Sequence, residues 1–300
     1  MAPNDSGGAG NALAPTGERL VPDRQSGELV LAEHLARYRL ARQLASGRRV
    51  LDVACGEGYG SAMLAAAGAI AVTGVDVDAQ TVEHVKRRHG IDSVQADIRS
   101  LPFDDGEFDL VVSFETIEHV EEPERALDEL ARVRSAGGLV VLSTPNASQY
   151  LVENEFHVRE FGHDEFVDLL RARFSSVRLL FQHNWLASAI LDEPAMAEAD
   201  GQTTLPIDLT KVRALEPGNE LYIVALCGEE VDMPLGHVGV MAGTDEAHEL
   251  ADRLAEAQRT ATRWHDAFQD VSQTARWMGS TWSWRLTKPF RLPARLLRRR

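Results

Sequence analysis

The chain has 300 residues, of which 44% are hydrophobic and 26% charged, as is typical of a globular protein with one large domain or one domain and an appendage. Its two cysteines, Cys55 and Cys227, exclude a disulfide-based scaffold and favour a reducing compartment such as the cytoplasm. A formal net charge of −15 argues against a nucleic-acid partner, and no apolar run is long enough to predict a membrane-spanning helix.

The first part of the chain predicts a leader and then a large domain. Residues 1–18 are mostly small or polar, with no basic stretch before an apolar run, so they predict a disordered leader rather than a secretory signal. A domain is predicted over 19–230, with a helix at about 28–46 ahead of its first strand. Residues 183–219 interrupt the regular pattern and predict an insertion of the kind that forms substrate lids.

Seven short β-rich runs alternate with amphipathic helical stretches through this domain. The runs are VLDVA (50–54), AVTGVDV (71–77), SVQAD (93–97), FDLVVSF (108–114), GLVVLSTP (138–145), VRLLFQ (177–182) and ELYIVALC (220–227). Continuous apolar strands that alternate with helices predict a mainly parallel sheet covered on both faces. The predicted fold class is therefore α/β, with a seven-stranded, doubly wound, Rossmann-like sheet.

The first strand runs directly into a turn with three glycines, Gly56, Gly58 and Gly60. No Gly-Lys-Ser/Thr follows, which excludes a P-loop, and the spacing differs from the dinucleotide fingerprint. The turn still brings backbone amides close to an anionic group at the start of a helix. Asp52, just before the turn, would repel a pyrophosphate but suits an ammonium group. The pattern predicts a ligand with a carboxylate, an amine and a ribose.

Acidic residues also end the next two strands. Asp76 lies at the tip of the second strand, ahead of Asp78, where a carboxylate can accept hydrogen bonds from ribose hydroxyls. Asp97 ends the third strand, where it can accept a hydrogen bond from an adenine amino group while Ile98 packs on the ring. Because the carboxyl ends of parallel strands meet at one edge, we expect Asp52, Asp76 and Asp97 to line one crevice.

Together these motifs resemble those of class I S-adenosylmethionine-dependent methyltransferases. VLDVACGEGYG resembles the first motif of that family, GVDVD its ribose-binding segment, and ADIRSLPFDDGEFDLVVSFETIEHV its adenine-binding and fourth-strand motifs; ELARVRSAGGLVVLSTPN resembles its fifth-strand segment. The resemblance covers about residues 16–227 and implies S-adenosyl-L-methionine as cofactor, with Val77 and Phe114 among its contacts. One departure is Ala54-Cys55, where many relatives carry a glycine.

A transferred methyl group needs an acceptor that loses a proton, and FETIEHV places Glu115, Glu118 and His119 at the tip of the fourth strand, facing the methyl donor. Imidazole titrates near neutral pH, so His119 is the predicted general base, and Glu118 is predicted to orient it or hold a substrate hydroxyl. His157 in NEFHVREF is the second candidate base. These three residues and Glu155 could converge on a metal ion, but nothing in their spacing requires one, and no metal is predicted.

A narrower resemblance concerns the acceptor. TGERLVPD, EHLARYRLA and NEFHVREF resemble segments of methyltransferases from bacterial glycan and polysaccharide assembly. This resemblance implies O-methylation of a sugar hydroxyl, with Arg19 and Tyr38 near the methionine end of the cofactor. A quinone, polyketide or other small metabolite is the alternative acceptor. A scaffold that has lost its activity is disfavoured, since the three strand-end aspartates are present.

The C-terminal part changes in character. A linker at 231–244 precedes a predicted helix at 245–282 whose apolar residues follow heptad spacing. This helix either packs on the main domain or forms a coiled coil between copies of the chain. From Val271 onward the chain has eight Lys or Arg residues and no acid. The aromatic and basic tail, 283–300, therefore predicts peripheral contact with an anionic membrane at the inner face of the cell membrane, or docking on an acidic protein.

Overall fold

The computed structural model describes residues 28–149, 154, 156–197, 204–243 and 245–280. The side chains of 245–252, Asp266 and Gly279 are outside this description. Four features predicted from the sequence therefore lie outside the described residues: the leader at 1–18, Arg19, Glu155 and the basic tail at 283–300.

Seven strands form one sheet in the order β3-β2-β1-β4-β5-β7-β6. Their bounds are β1 (Arg49–Val53), β2 (Ala71–Asp76), β3 (Asp92–Gln95), β4 (Phe108–Phe114), β5 (Arg134–Pro145), β6 (Ser176–Gln182) and β7 (Tyr222–Gly228). Strands β1 to β5 pair in parallel, and β7 is antiparallel to both β5 and β6. The predicted seven-stranded doubly wound sheet is confirmed, and each predicted β-rich run overlaps one strand. The strand order reverses between β1 and β4, which is where such sheets bind ligands.

The described part of the chain contains seven α-helices. They are α1 (Glu28–Ala41), α2 (Tyr59–Ala66), α3 (Ala79–His89), α4 (Pro123–Val133), α5 (His163–Arg171), α6 (Glu193–Ala197) and α7 (Asp245–Ser280). The sequence signals that set their ends are clear in α3. Asp78 accepts a hydrogen bond from the Gln80 amide at 3.0 Å at its start, and Gly90 ends it with a φ of 65°.

Each face of the sheet has its own apolar core, because successive side chains of a strand point to opposite faces. In β1, Leu51 and Val53 belong to the core that also contains Leu127 of α4. Val50 belongs to the other core, beside Tyr38 of α1. Asp52 shares this second face with Val50, so its carboxylate is directed at α1 and α2.

The chain divides into two compact units, Met1–Ala242 and Gly243–Arg300. In the first, the described residues of the 183–219 segment form only the short helix α6, and a lid role stays a prediction. In the second, α7 has 36 residues and is about 54 Å long. Its heptad residues Trp264 and Phe268 are 73% and 69% exposed, so self-association through this face stays a prediction. None of the described helices combines the length and apolarity that bilayer crossing requires.

Candidate active site

The turn after β1 has an unusual backbone. Ala54, Gly56 and Gly58 all have positive φ angles, of 61°, 56° and 91°. This conformation is natural for glycine, whereas in Ala54 it costs about 1 kcal/mol because Cβ crowds the following carbonyl. Backbone strain of this kind is concentrated at ligand sites. The departure from the family motif at Ala54 therefore coincides with the most strained position of the turn.

Gly60 is required for a different reason. A Cβ at this position would lie 2.0 Å from Cζ of Tyr38, so the group that approaches the main chain here is an aromatic ring of the protein itself. Tyr38 is buried, and its ring meets Phe114 and Tyr59 edge to face at centroid distances of 5.1 and 5.6 Å. Tyr38 and Phe114 thus form an aromatic support beneath the glycine turn, while their predicted contacts with the cofactor stay predictions.

The position of Asp52 corrects the prediction that it lines an open crevice. Its side chain is fully buried and accepts hydrogen bonds from Ser61 Oγ at 2.6 Å and from the Tyr38 hydroxyl at 3.1 Å. Burial raises the pKa of Asp52 to about 7, although these two hydrogen bonds oppose the shift. The alternation of β1 turns Asp52 toward α1 and α2. It therefore anchors the support of the turn, and its predicted contact with an ammonium group stays a prediction.

Asp76 lies where the sequence predicts, at the end of β2. Its Oδ2 accepts a hydrogen bond from the Gly56 amide at 3.1 Å, and its Oδ1 accepts one from the Asp78 amide at 2.9 Å. The carboxylate thus connects the glycine turn to the tip of the neighbouring strand. Val77, next along the chain, is 69% exposed and available for contact with a ligand. Binding of ribose at Asp76 and Val77 stays a prediction.

Asp97 lies beyond the end of β3 and is held by Arg99, a residue that the sequence analysis missed. Arg99 donates to Asp97 from its amide at 2.8 Å and from Nη2 at 2.6 Å. These hydrogen bonds lower the pKa of Asp97. Ile98 between them is buried. An adenine amino group would therefore share the Asp97 carboxylate with Arg99. The Asp-x-Arg spacing in the sequence could have predicted this contact between Asp97 and Arg99.

The strand order reverses between β1 and β4, and Glu118 lies on the β4 side of this point. It belongs to a short 3-10 turn after β4, Ile117–His119. Glu118 is 1% exposed, and its Oε2 accepts a hydrogen bond from Thr144 Oγ1 at 3.1 Å. Its Oε1 is buried and has no hydrogen-bond partner among the described residues. Burial, together with the negative charge of Glu115, raises the pKa of Glu118 well above the ordinary range.

The two predicted base candidates lie beside this carboxylate. Nδ1 of His119 is 3.0 Å from the carbonyl oxygen of Phe156, and Nδ1 of His157 is 2.6 Å from Glu160 Oε1. The two imidazole rings meet edge to face at 4.9 Å. One ligand atom each from Glu118, His119 and His157 lies within 4.8 Å of the other two. The structure therefore brings together the three predicted catalytic residues, which we call the acceptor cluster.

A second group with the same side-chain types holds the glycine turn to α3. Glu57 of the turn contacts Nε2 of His84 at 3.0 Å and Nε2 of His89 at 3.2 Å. Nε of Arg88 lies 2.9 Å from the same carboxylate. We call Glu57, His84 and His89 the clamp cluster. The sequence analysis did not predict it, because Glu57 and the histidines lie in different elements.

Arg37 and Glu115 are further polar residues that the sequence analysis did not assign. The Arg37 guanidinium is buried, donates to Gln182 Oε1 at 2.9 Å and lies 3.9 Å from Glu115. Its Nε and Nη2 have no hydrogen-bond partner among the described residues. Glu115 accepts a hydrogen bond from Ser143 Oγ at 2.6 Å and has a positive φ of 49°. A buried guanidinium with two unpaired N–H groups is suited to bind a carboxylate.

More polar groups continue along this edge of the sheet. Because β7 is antiparallel, Tyr222 at its start lies opposite Pro145 and Gln182, which end β5 and β6. The Tyr222 hydroxyl donates to the buried Glu33 at 2.7 Å, and Asn184 donates to the same carboxylate. This half of the edge is therefore rich in buried hydrogen-bonding groups.

Comparisons with known proteins agree with this geometry. Residues 51–142 match a family model described as a methyltransferase domain. A probable S-adenosylmethionine-dependent methyltransferase of Mycobacterium tuberculosis is 36% identical over 174 residues, which are 56% of this chain and 63% of the relative. A ubiquinone biosynthesis O-methyltransferase of Bordetella bronchiseptica is 39% identical over 108 residues, which are 34% of this chain and 44% of the relative.

Among solved structures, a methyltransferase of Thermotoga maritima, described as a possible histamine N-methyltransferase, is 21% identical with a TM-score of 0.47. The match covers 67% of this chain and 92% of that protein. The chain spans less than two thirds of the length of the mycobacterial relative. The family match covers the segment that carries the glycine turn and Asp76. Residues 51–142 thus match a methyltransferase domain, and the mycobacterial relative is named as a probable S-adenosylmethionine-dependent methyltransferase.

Proposed function

We propose that the chain is an S-adenosylmethionine-dependent O-methyltransferase that methylates a hydroxyl group of a saccharide or glycoconjugate. The observation that carries the proposal is the division of the sheet edge at the switch between β1 and β4. The glycine turn and Asp76 lie on one side, and the acceptor cluster lies on the other. Methyl transfer needs the methyl donor and the acceptor hydroxyl in line at about 3 Å. A cofactor half and an acceptor half side by side on one sheet edge suit this requirement.

The residues of the first half fit the cofactor, which supplies a methyl group already activated on a sulfonium. Asp76 would accept hydrogen bonds from the ribose, and Asp97 with Ile98 would hold the adenine. The unpaired Nε and Nη2 of Arg37 would bind the carboxylate of the methionine part. Because a buried N–H without a partner costs about 1–3 kcal/mol, a carboxylate ligand at Arg37 relieves a cost that the free protein carries.

The second half supports a polyhydroxylated acceptor. The buried Glu33 and Tyr222 and the partly exposed Glu115 lie there, and such polar groups favour an acceptor whose hydroxyls can share their hydrogen bonds. A flat apolar acceptor offers these groups no hydrogen bonds. The alternative, a quinone, polyketide or other small metabolite, is favoured by the name of the Bordetella relative.

The acceptor hydroxyl must lose its proton as the new bond to carbon forms. The oxygen gains the methyl group, the sulfonium becomes a neutral thioether, and one proton is released. The carbonyl oxygen of Phe156 accepts a hydrogen bond from Nδ1 of His119, which leaves the lone pair of the neutral imidazole on Nε2. This lone pair suits either a proton or a cation at the acceptor cluster.

The test is transfer of a labelled methyl group from S-adenosyl-L-methionine to fractionated cell extracts, with mass spectrometry of the product. We expect label in the glycan and glycolipid fraction. Asp76→Ala should abolish transfer and weaken cofactor binding in calorimetry at least tenfold. Asp92→Ala, an exposed aspartate at the opposite end of the sheet, is the matched control and should keep both. Label in the quinone fraction would select the alternative acceptor, and no cofactor binding would overturn the proposal.

A further inference from the structure

We propose that Glu118, His119 and His157 bind a divalent first-row transition-metal ion, such as Mn²⁺, Co²⁺ or Zn²⁺, which holds the acceptor hydroxyl. The role of the ion in methyl transfer rests on the proposed function, whereas the binding of the ion does not.

The carboxylate is the first reason. Glu118 is almost fully buried, Thr144 engages only its Oε2, and its Oε1 has no hydrogen-bond partner among the described residues. A buried carboxylate with an unused oxygen carries a desolvation cost that a directly bound cation removes. The nearby guanidinium of Arg37 is engaged with Gln182 and Tyr222 and does not contact Glu118 within hydrogen-bonding distance.

The histidines are the second reason. A metal-binding histidine usually donates its other ring N–H to a carbonyl or carboxylate, which fixes the tautomer and the ring orientation. Nδ1 of His119 has the Phe156 carbonyl for this purpose, and Nδ1 of His157 has Glu160. In the tautomer that these contacts favour, the lone pair of each ring is on Nε2, the atom that would bind an ion. The outer partners that such a site requires are already in place.

The spacing is the third reason. The three ligand atoms lie within 4.8 Å of one another. Two ligands of one ion, each at about 2.0–2.3 Å, are separated by at most about 4.0–4.6 Å, so an adjustment of a few tenths of an ångström brings all three onto one ion. Two nitrogen donors and one oxygen donor favour transition ions over Mg²⁺ and Ca²⁺, which take mainly oxygen ligands.

Three protein ligands leave coordination positions open, and these suit one or two hydroxyls of the acceptor. A cation lowers the pKa of a hydroxyl bound to it. The hydroxyl proton then leaves to water, the O–CH₃ bond forms and the S–CH₃ bond breaks, with no change in oxidation state. In this arrangement His119 is a ligand, and the general-base role predicted for it from the sequence is not needed.

The clamp cluster provides an internal control, because it has the same side-chain types and its ligand atoms also lie within 4.8 Å of one another. There the carboxylate of Glu57 is paired with Nε of Arg88 at 2.9 Å as well as with the two histidines. The fixed positive charge of Arg88 disfavours a second cation at this position. We therefore expect the ion at the acceptor cluster and not at the clamp cluster.

The experiment uses the full chain, stripped with EDTA, dialysed and titrated with Co²⁺, followed by visible absorption and calorimetry. We expect one Co²⁺ per chain. Glu118→Gln and His157→Ala should each weaken binding at least tenfold, whereas His89→Ala should leave it unchanged. Circular dichroism of each variant checks that it is folded. Absence of Co²⁺ binding, binding that survives both variants, or binding lost in His89→Ala would each overturn the proposal.

Methyl transfer by the same preparations separates this proposal from the proposed function. Full activity in excess EDTA, with no bound ion, would overturn the ion site and leave the methyltransferase function intact. Co²⁺ binding at the acceptor cluster without any methyl transfer would support the ion site and contradict the function. Activity lost in EDTA and restored by Mn²⁺ or Co²⁺ would support both.

Discussion

The acceptor cluster and the clamp cluster contain the same three side chains, one glutamate and two histidines, yet their carboxylates differ. In the clamp cluster, Glu57 is paired with Arg88 and with both imidazoles at 2.9–3.2 Å. In the acceptor cluster, one oxygen of Glu118 has no partner among the described residues, and the Nδ1 atoms of the histidines point to other groups.

This difference shows that composition and spacing do not decide what a cluster does; the partners of the carboxylate do. A carboxylate whose charge is already matched stabilises the fold and joins two elements, here the glycine turn and α3. A buried carboxylate whose charge is unmatched costs stability, and such costs are typical of functional sites. The two clusters therefore predict opposite responses to the same substitution, glutamate to glutamine.

The largest expected difference is in catalysis. Glu118→Gln should lower kcat for methyl transfer at least 100-fold, or about 2.7 kcal/mol, because it removes the charge at the acceptor. Its Kd for S-adenosyl-L-methionine should stay within twofold of the wild type. Glu57→Gln should instead act on cofactor binding. It should raise the Kd for S-adenosyl-L-methionine about tenfold, because the glycine turn loses its attachment to α3. Steady-state kinetics and calorimetry measure the two quantities, and equal losses of kcat in both variants would contradict the distinction.

The next difference is in stability and has opposite signs. Glu57→Gln should lower the free energy of unfolding by about 2 kcal/mol, since His84 and His89 lose a charged partner. The lost pair with Arg88 contributes less, because the Arg88 side chain is half exposed. Glu118→Gln should raise it by about 1 kcal/mol, since a poorly compensated buried charge is removed. Urea unfolding at pH 7.5 in the presence of EDTA measures both. A loss of stability in Glu118→Gln would show that this charge is compensated in the folded protein.

The fold could be predicted well because its signals are local. Strands buried on both faces, such as 108–114 and 138–145, read as continuous apolar runs, and caps such as Asp78 and Gly90 set helix ends. The end of one helix differs from the prediction. The predicted helix at 28–46 ends at Ala41 and continues as a 3-10 turn over Arg42–Leu44.

The site could be predicted only in part, because its residues come together from distant parts of the chain. Asp76 stands at a strand end, as predicted, whereas the alternation of β1 carries Asp52 to the face of α1. His157 meets His119 across 38 positions, and no spacing rule predicts that contact. The partner of a carboxylate, Arg88 in one cluster and Thr144 in the other, depends on packing and not on sequence pattern.

The smallest expected difference is in the pH dependence of stability. Because the pKa of Glu118 is raised, the folded protein holds more protons than the unfolded chain above the ordinary glutamate pKa of about 4.3, so the free energy of unfolding falls as pH rises there. Asp52, with a pKa of about 7, acts in the same direction.

The difference between the wild type and Glu118→Gln therefore isolates Glu118. We expect the free energy of unfolding of the wild type to fall more than that of this variant between pH 5 and pH 7 in urea unfolding with EDTA. Asp52→Asn is the control that reports the part due to Asp52. Parallel curves for the wild type and Glu118→Gln would mean that the Glu118 charge is matched as fully as that of Glu57, and the contrast between the two clusters would disappear.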